Sequence, residues 1–378
     1  MLRRSLITSP AFLALVVLSG CSAAPRADPS PSVAPAAAPA YNCHDLAAID
    51  EVAPVFTTAD GTVPIPVAAI QPAVNLTEYA VPALGGLSCS WRVGPAVTSP
   101  MQDPVGSDWA YVSVKVVPNA ADSWAPYAVA DIFSLDDGPS DTAMTIDGID
   151  AATGCGNNSG CFISAPVGDA WVEIVLTTNW YPVEGGFYAG LTPNVVLSQM
   201  QLLAASVFTA LTDAQPGQLA WPAVDLVEHE ADCTAALGSQ GIADALGVDS
   251  FDYEIWSQQH ITSTYFENYV AEQSGTFQCA VQPDGLPADL IADGLMGTSV
   301  TVGYDLAGLV DTMVARPDTR ALPTIALHGA IAGEQAVQMC SELTPFCVLI
   351  FSLGQSAYQV ESNRDTVAIA EAIIAETR

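Results

Sequence analysis

Eight cysteines are the residues whose type and spacing could do chemistry: Cys43, Cys89, Cys155, Cys161, Cys233, Cys279, Cys340 and Cys347. Thiolates hold metals when they cluster with histidine, and they carry redox chemistry in CxxC pairs. Neither arrangement occurs in this chain. In an exported protein an even number of cysteines normally pairs. The first four recur as the second four, 190, 190, 185 and 186 residues later. Bonds kept inside each repeat give Cys43–Cys89, Cys155–Cys161, Cys233–Cys279 and Cys340–Cys347. The alternative, each early cysteine joined to a late one, stays open at this level. On the loop-entropy model the long loops contribute about 4 kcal/mol each and the short ones about 2.5.

Other reactive residues are sparse. The four histidines are His44, His229, His260 and His328. None belongs to an H-E-x-x-H motif, and none repeats at the cysteine offset. Glu228-His229-Glu230 has metal-binding side chains, but beside a linker it reads as a solvated turn. No phosphate loop and no G-x-S-x-G elbow is present. Gly354-Gln355-Ser356 stops short of the elbow and falls in an expected hairpin. The acidic stretch from Asp131 to Asp150 holds Asp136, Asp137 and Asp141, with Asp147 and Asp150. Carboxylate clusters suit hard cations, yet this spacing is not an EF-hand, and a solvated loop is the stronger reading. Tyr253, Trp256, Tyr265, Phe266 and Tyr269, with His260 among them, precede Cys279; Trp180, Tyr181, Phe187 and Tyr188 flank Gly185-Gly186 in the first half. Aromatics with polar tips can line a pocket for lipid, glycan or peptide, but filling a core or a seam between modules is the stronger reading. No catalytic residue and no cofactor is assigned.

The elements that would position these residues follow the same register. Val112, Val114 and Val116 alternate within Tyr111 to Val117, and Val300, Val302 and Tyr304 alternate within Ser299 to Tyr304; period two marks half-buried strands. Strand pairs around Gly168-Asp169 and Gly354-Gln355 read as hairpins. Helices are expected over His44 to Phe56 and Cys233 to Leu246. A third, started by Thr192-Pro193, runs from Asn194 to Leu211, and a fourth, capped by Asn363 or Asp365, from Thr366 to Ala375. The expected fold class is α+β: two tandem duplicated modules, 41–213 and 225–378. Each is an antiparallel sheet with N- and C-terminal helices and two disulfides of its own. Pro216, Gly217 and Pro222 mark a linker at 214–224.

The start of the chain carries an address. Arg3 and Arg4 precede an apolar run from Ala11 to Leu18, shorter than the roughly 20 residues a spanning helix needs. Leu18-Ser19-Gly20-Cys21 resembles a lipobox. That resemblance implies cleavage after residue 20, a lipid on Cys21 and anchoring to the outer face of the cell membrane. The Ala/Pro/Ser-rich residues 21–40 cannot fold and read as a tether reaching up to about 60 Å. The net charge is −32, and Lys115 is the sole lysine. Such a chain lacks the basic patches that nucleic acid or anionic lipid requires. The charge permits cationic partners or calcium, and it keeps an exported protein soluble.

A lipobox, a Pro/Ala tether, a helix opening with cysteine, and Cys89-Ser90-Trp91 leading into a strand together resemble actinobacterial cell-envelope lipoproteins of unknown function. The plan is similar to the disulfide-stapled extracellular sensor domains of mycobacterial serine/threonine kinases. The second half departs from it, with Cys279-Ala280-Val281 lacking the tryptophan. The resemblance implies a non-catalytic surface lipoprotein with tandem ligand-binding or sensing modules that offer a cleft. Its partners would be the bilayer, through Cys21, and an extracellular ligand or envelope protein. The competing readings are an extracellular hydrolase assembled from distant residues, and a calcium-binding or structural envelope protein.

Overall fold

The computed structural model describes residues 39–64, 66–70, 76–94, 109–126, 142–156, 160–178, 186–256, 265–283, 297–315, 323–340 and 345–378. The expected signal, Cys21 and the tether up to residue 38 lie outside the described residues. Residues 38–378 form one compact unit containing two antiparallel sheets.

The first sheet comprises β1 (Ala68–Ile70), β2 (Leu87–Val93), β3 (Ala110–Val117), β4 (Thr142–Ile146), β5 (Ile149–Gly156), β6 (Gly160–Val167) and β7 (Ala170–Thr178). Their spatial order is β1-β2-β3-β7-β6-β5-β4. The second comprises β8 (Phe251–Trp256), β9 (Thr276–Pro283), β10 (Thr298–Gly303), β11 (Ala336–Cys340), β12 (Cys347–Leu353) and β13 (Ser356–Ser362), in the order β8-β9-β10-β13-β12-β11. Without β4 the two orders coincide, and so does the register. Cys89 faces Val114 and Cys279 faces Val300; Val114 faces Ile174 and Val300 faces Val360. The β6–β7 and β12–β13 turns place Gly168 and Gly354 at φ of 61° and 60°, the left-handed region where glycine carries no Cβ penalty.

Four disulfides staple this frame. Cys43–Cys89 and Cys233–Cys279 each span 46 residues and tie an opening helix to β2 or β9. Cys155–Cys161 and Cys340–Cys347 each join direct cross-strand partners, β5 to β6 and β11 to β12. Each bond stays within its own half of the chain, and the early-to-late alternative falls away.

One face of each sheet is apolar and covered by a long helix. Helix α4 (Pro193–Thr212) turns Val196, Met200, Leu203, Val207 and Leu211 onto Val112, Val114, Val116 and Ile174. Helix α9 (Thr366–Thr377) turns Ile369, Ile373 and Ile374 onto Val300, Val302, Leu349 and Phe351, after Asp365 caps its first turn. Each such aliphatic side chain contributes about 1.5–3 kcal/mol when fully buried. By length and composition alone α4 could cross a membrane, but its apolar stripe lies in the core of the first sheet.

The opening helices are shorter than expected. The first breaks into α1 (Cys43–Leu46), α2 (Ile49–Val52) and a 3₁₀ turn (Ala53–Phe56). Asn42 and Asp45 form a capping box at α1, and the Glu51 carboxylate accepts from the Ala48 N–H, so a second start competes with one continuous helix. The other opening segment divides into α5 (Cys233–Leu237) and α6 (Gln240–Leu246) at Gly238, φ 72°. The Glu376 carboxylate of α9 accepts from the Ser239 and Gly241 N–H groups and fixes that break. Three further helices, α3 (Leu76–Ala83), α7 (Tyr265–Ser274) and α8 (Gly308–Val314), form no part of the expected pattern. Helices α3 and α7 pack against each other between the two sheets.

Candidate functional site

The inner faces of the sheets, turned toward α3 and α7, carry buried polar side chains. On the first sheet these include Ser88, Ser90 and Arg92 from β2, Ser113 and Lys115 from β3, and Glu173 from β7. The alternation that buries Val112, Val114 and Val116 under α4 turns Ser113 and Lys115 the other way. Lys115 and Glu173 are direct cross-strand partners, with Ser88 on the other side of Lys115.

Lys115 is the centre of this layer. Its side chain is 4% exposed, and its Nζ lies 2.7 Å from Glu78 of α3, 3.2 Å from Glu267 of α7 and 4.0 Å from Glu173. One ammonium thus joins a strand and a helix of the first half to a helix of the second. Burial pulls its pKa down, but Glu78, Glu267 and Glu173 together outweigh that and hold it well above the ordinary lysine value. Nucleophilic or Schiff-base chemistry needs the opposite, a lysine whose pKa is depressed toward neutrality. The geometry therefore makes Lys115 a fixed cation that pins three elements.

Apolar and polar contacts complete the seam. Trp171 of β7 meets Phe266 edge-on at 5.6 Å and Tyr269 at 5.3 Å, and its Nε1 donates to Ser164 Oγ at 2.9 Å. Leu76 packs into a cluster with Leu306, Leu309, Val310 and Ile350 of the second half. Its backbone N–H donates to Gln359 Oε1 of β13 at 3.0 Å, and Gln359 donates to the Glu361 carboxylate. Burial raises the Glu361 pKa, partly opposed by that hydrogen bond.

The segment from 213 to 232 closes over the same seam. The Gln218 carbonyl accepts from the Tyr41 N–H, and Trp221 Nε1 donates to the Tyr41 carbonyl. The Val224 N–H donates to the Ala83 carbonyl at the end of α3, and Leu226 joins the apolar cluster around Leu76. The Val227 N–H donates to Asp305 Oδ2 at 3.0 Å. His229 lies over the Tyr304 ring at 4.2 Å, with Nε2 3.6 Å from the same carboxylate. Glu228-His229-Glu230 thus belongs to a docked strap.

The other residues singled out from sequence are not gathered into one place. Tyr253, on edge strand β8, donates its hydroxyl to the Gly238 carbonyl at 2.6 Å and packs edge-on against Phe251. Burial, reinforced by the Glu376 charge, raises its pKa, so it anchors the α5–α6 break as a neutral phenol. Trp256 ends β8 and Tyr265 begins α7. His260, Trp180 and Tyr181 lie outside the described residues, as do Asp136, Asp137 and Asp141. Asp147 is described: with Gly148 it forms the β4–β5 turn, at φ of 50° and 84°, as a type I′ hairpin needs. Asp150 accepts from Thr145 within that hairpin. Among the described residues no group of three or more His, Cys, Asp or Glu could hold a metal ion. Likewise, no described histidine hydrogen-bonds a serine, threonine or cysteine side chain. His44 is exposed on α1, and His328 is engaged through its backbone N–H with Glu371.

Phe266 and Tyr269 of the seam belong to the aromatic run legible in the sequence, whereas its polar residues belong to no reactive motif. Their signal was compositional: a sole lysine set between valines in a chain of net charge −32. No family model, curated protein or solved structure matches the chain.

Proposed function

We propose that this protein is an exported lipoprotein, anchored through Cys21, whose two halves descend from one duplicated unit and form a non-catalytic binding or sensing body in the cell envelope. The observation that carries the reading is the pair of matched disulfide sets. Bonds spanning 46 residues occur at the same place in each half, each accompanied by a cross-strand bond. Disulfides persist in oxidising compartments, and four in one chain fit an extracytoplasmic protein. The shared strand order and register favour copying of one unit over two unrelated ones. A lysine held charged by three carboxylates supports a rigid binding body over a reaction centre. The acidic surface fits a cationic or neutral ligand better than an anionic one.

The test is the fate of Cys21. The full chain is expressed in an actinobacterial host, and the membrane fraction is analysed by mass spectrometry of the N-terminal peptide. The expected species begins at Cys21 and carries a diacylglyceryl group. Cys21→Ser is expected in the culture fluid. A membrane-bound Cys21→Ser chain, or a wild-type chain starting elsewhere, would overturn the anchored-lipoprotein reading.

A further inference from the structure

We infer that the seam is an internal two-fold interface: the surface formed by α3 and the inner sheet face in one half is built to receive another unit of the same kind. This inference rests on the duplication proposed above and extends it from chain order to recognition.

The matching positions are fixed by features far from the seam. Residues 76 to 94 correspond to those 190 later, as Cys89 does to Cys279. Gly85 and Gly275, which end α3 and α7 at φ of 71° and 65°, obey the same offset. Their N–H groups donate to the carbonyls of Pro82 and Glu272, themselves 190 apart. Residues of β3, β6 and β7 correspond to those 186 later, as the pairing of Val114 and Val300 requires. Asn119 and Asp305 are the matching non-glycine residues with left-handed backbone, at φ of 57° and 59°. Ala121 and Ala307 donate to the matching carbonyls of Asp169 and Gln355.

In this frame the contacts across the seam are reciprocal. Phe266 of the second half packs with Trp171, Val117 and Ala120 of the first. Its counterpart Leu76, in the first half, packs with the counterparts of those residues in the second: Ala357, Gly303 and Leu306. Residue i meets j′ while j meets i′, the signature of an isologous two-fold contact. The two pockets distribute their bulk differently. One uses Phe266, Trp171 and Val117 around a small Ala120. The other uses Leu76 and Leu306 around Ala357 and Gly303. A Cβ on Gly303 would stand 2.7 Å from Leu306 Cδ1 and 3.2 Å from Leu76 Cδ2, so Leu306 occupies the space that Val117 fills in the first pocket. Polar positions have diverged in the same way. Lys115, Glu173 and Glu78 correspond to Thr301, Gln359 and Asn268, so the charged network exists once.

The test grafts one pocket's chemistry onto the other in the full chain and reads thermal unfolding. Ala120→Leu alone places Leu306's counterpart beside Trp171 and Phe266, and it is expected to lower the midpoint by overpacking. In the triple background Val117→Gly, Trp171→Ala, Phe266→Leu, the same substitution installs all four side chains that meet at the second contact. There it is expected to raise the midpoint by about 3 °C or more. Where the triple variant does not fold, recovery of folded chain on adding Ala120→Leu is the readout. Reversal of sign between backgrounds supports the two-fold seam; loss of stability or no recovery in the triple background overturns it. Lipidation at Cys21 is indifferent to these variants, so each reading can fail without the other.

Discussion

Replacing Lys115 by methionine would leave Glu78, Glu173 and Glu267 facing one another with no ammonium between them. Breaking a buried ionic group by removing one partner costs about 3–5 kcal/mol, far more than the net worth of the intact group. We expect Lys115→Met to lower stability by about that amount, and Lys115→Met with Glu173→Leu to recover part of it; urea unfolding of the two variants is the check. Glu361 yields a pH-dependent prediction. Its folded pKa is raised by burial, so the unfolded chain binds fewer protons in the window above the ordinary carboxyl value of 4.5. Its contribution is therefore fully present below that value and is lost as pH rises through the folded one. Glu361→Gln removes this loss: the midpoint of the variant, measured from pH 4 to pH 8, should fall less on going up than that of the parent. At this scale the sequence was legible for sulfur and nearly silent for charge. Four cysteine offsets carried the bonding pattern. Lys115 stood out by rarity, but its partners come from residues 37 positions before it, 58 after and 152 after, distances no local pattern spans.

Elements legible from the sequence are those whose apolar side chains keep to one face, even where, as in β3, the polar face is buried too. Valines at alternate positions of β3 and β10, the hairpins at Gly168 and Gly354, and the long helices α4 and α9 all write their periodicity directly. Helices α3 and α7 do not, because each is covered on several sides by parts of both halves. Helix α3 also holds Pro82, which lacks the N–H that would bond the Glu78 carbonyl and so argues against a helix on sequence alone; the helix ends one residue later. The disulfides should differ in weight accordingly. Serine replacement of Cys43 and Cys89, or of Cys233 and Cys279, frees a loop of 46 residues and is expected to cost about 4 kcal/mol. Replacement of Cys155 and Cys161 frees only six and should cost about 2.5 kcal/mol. Denaturant titration of the double-serine variants orders them, and equal losses would speak against the loop-entropy account.

Two expected modules proved to share a middle layer, and that changes how the whole molecule should respond to stress. Each half contributes a helix to the other's sheet face, so neither apolar cluster around Leu76 or Trp171 survives separation. Heat should unfold residues 41–378 in one transition, with calorimetric and van't Hoff enthalpies in agreement. Lys115 offers an independent gauge. As the sole lysine, buried at the centre, it should react with an amine-acylating reagent only as fast as the seam opens, and peptide mapping after timed exposure measures that rate.

The docked strap has a consequence of its own. Much of the segment from Asp213 to Asp232 faces solvent, with Val224, Asp225, Val227 and Glu228 open to attack, yet the halves it connects are held together by side chains elsewhere. A cut there would turn one polypeptide into two without altering the particle. For a protein placed outside the cell, as proposed here, proteolytic scission at this exposed stretch would be survivable damage.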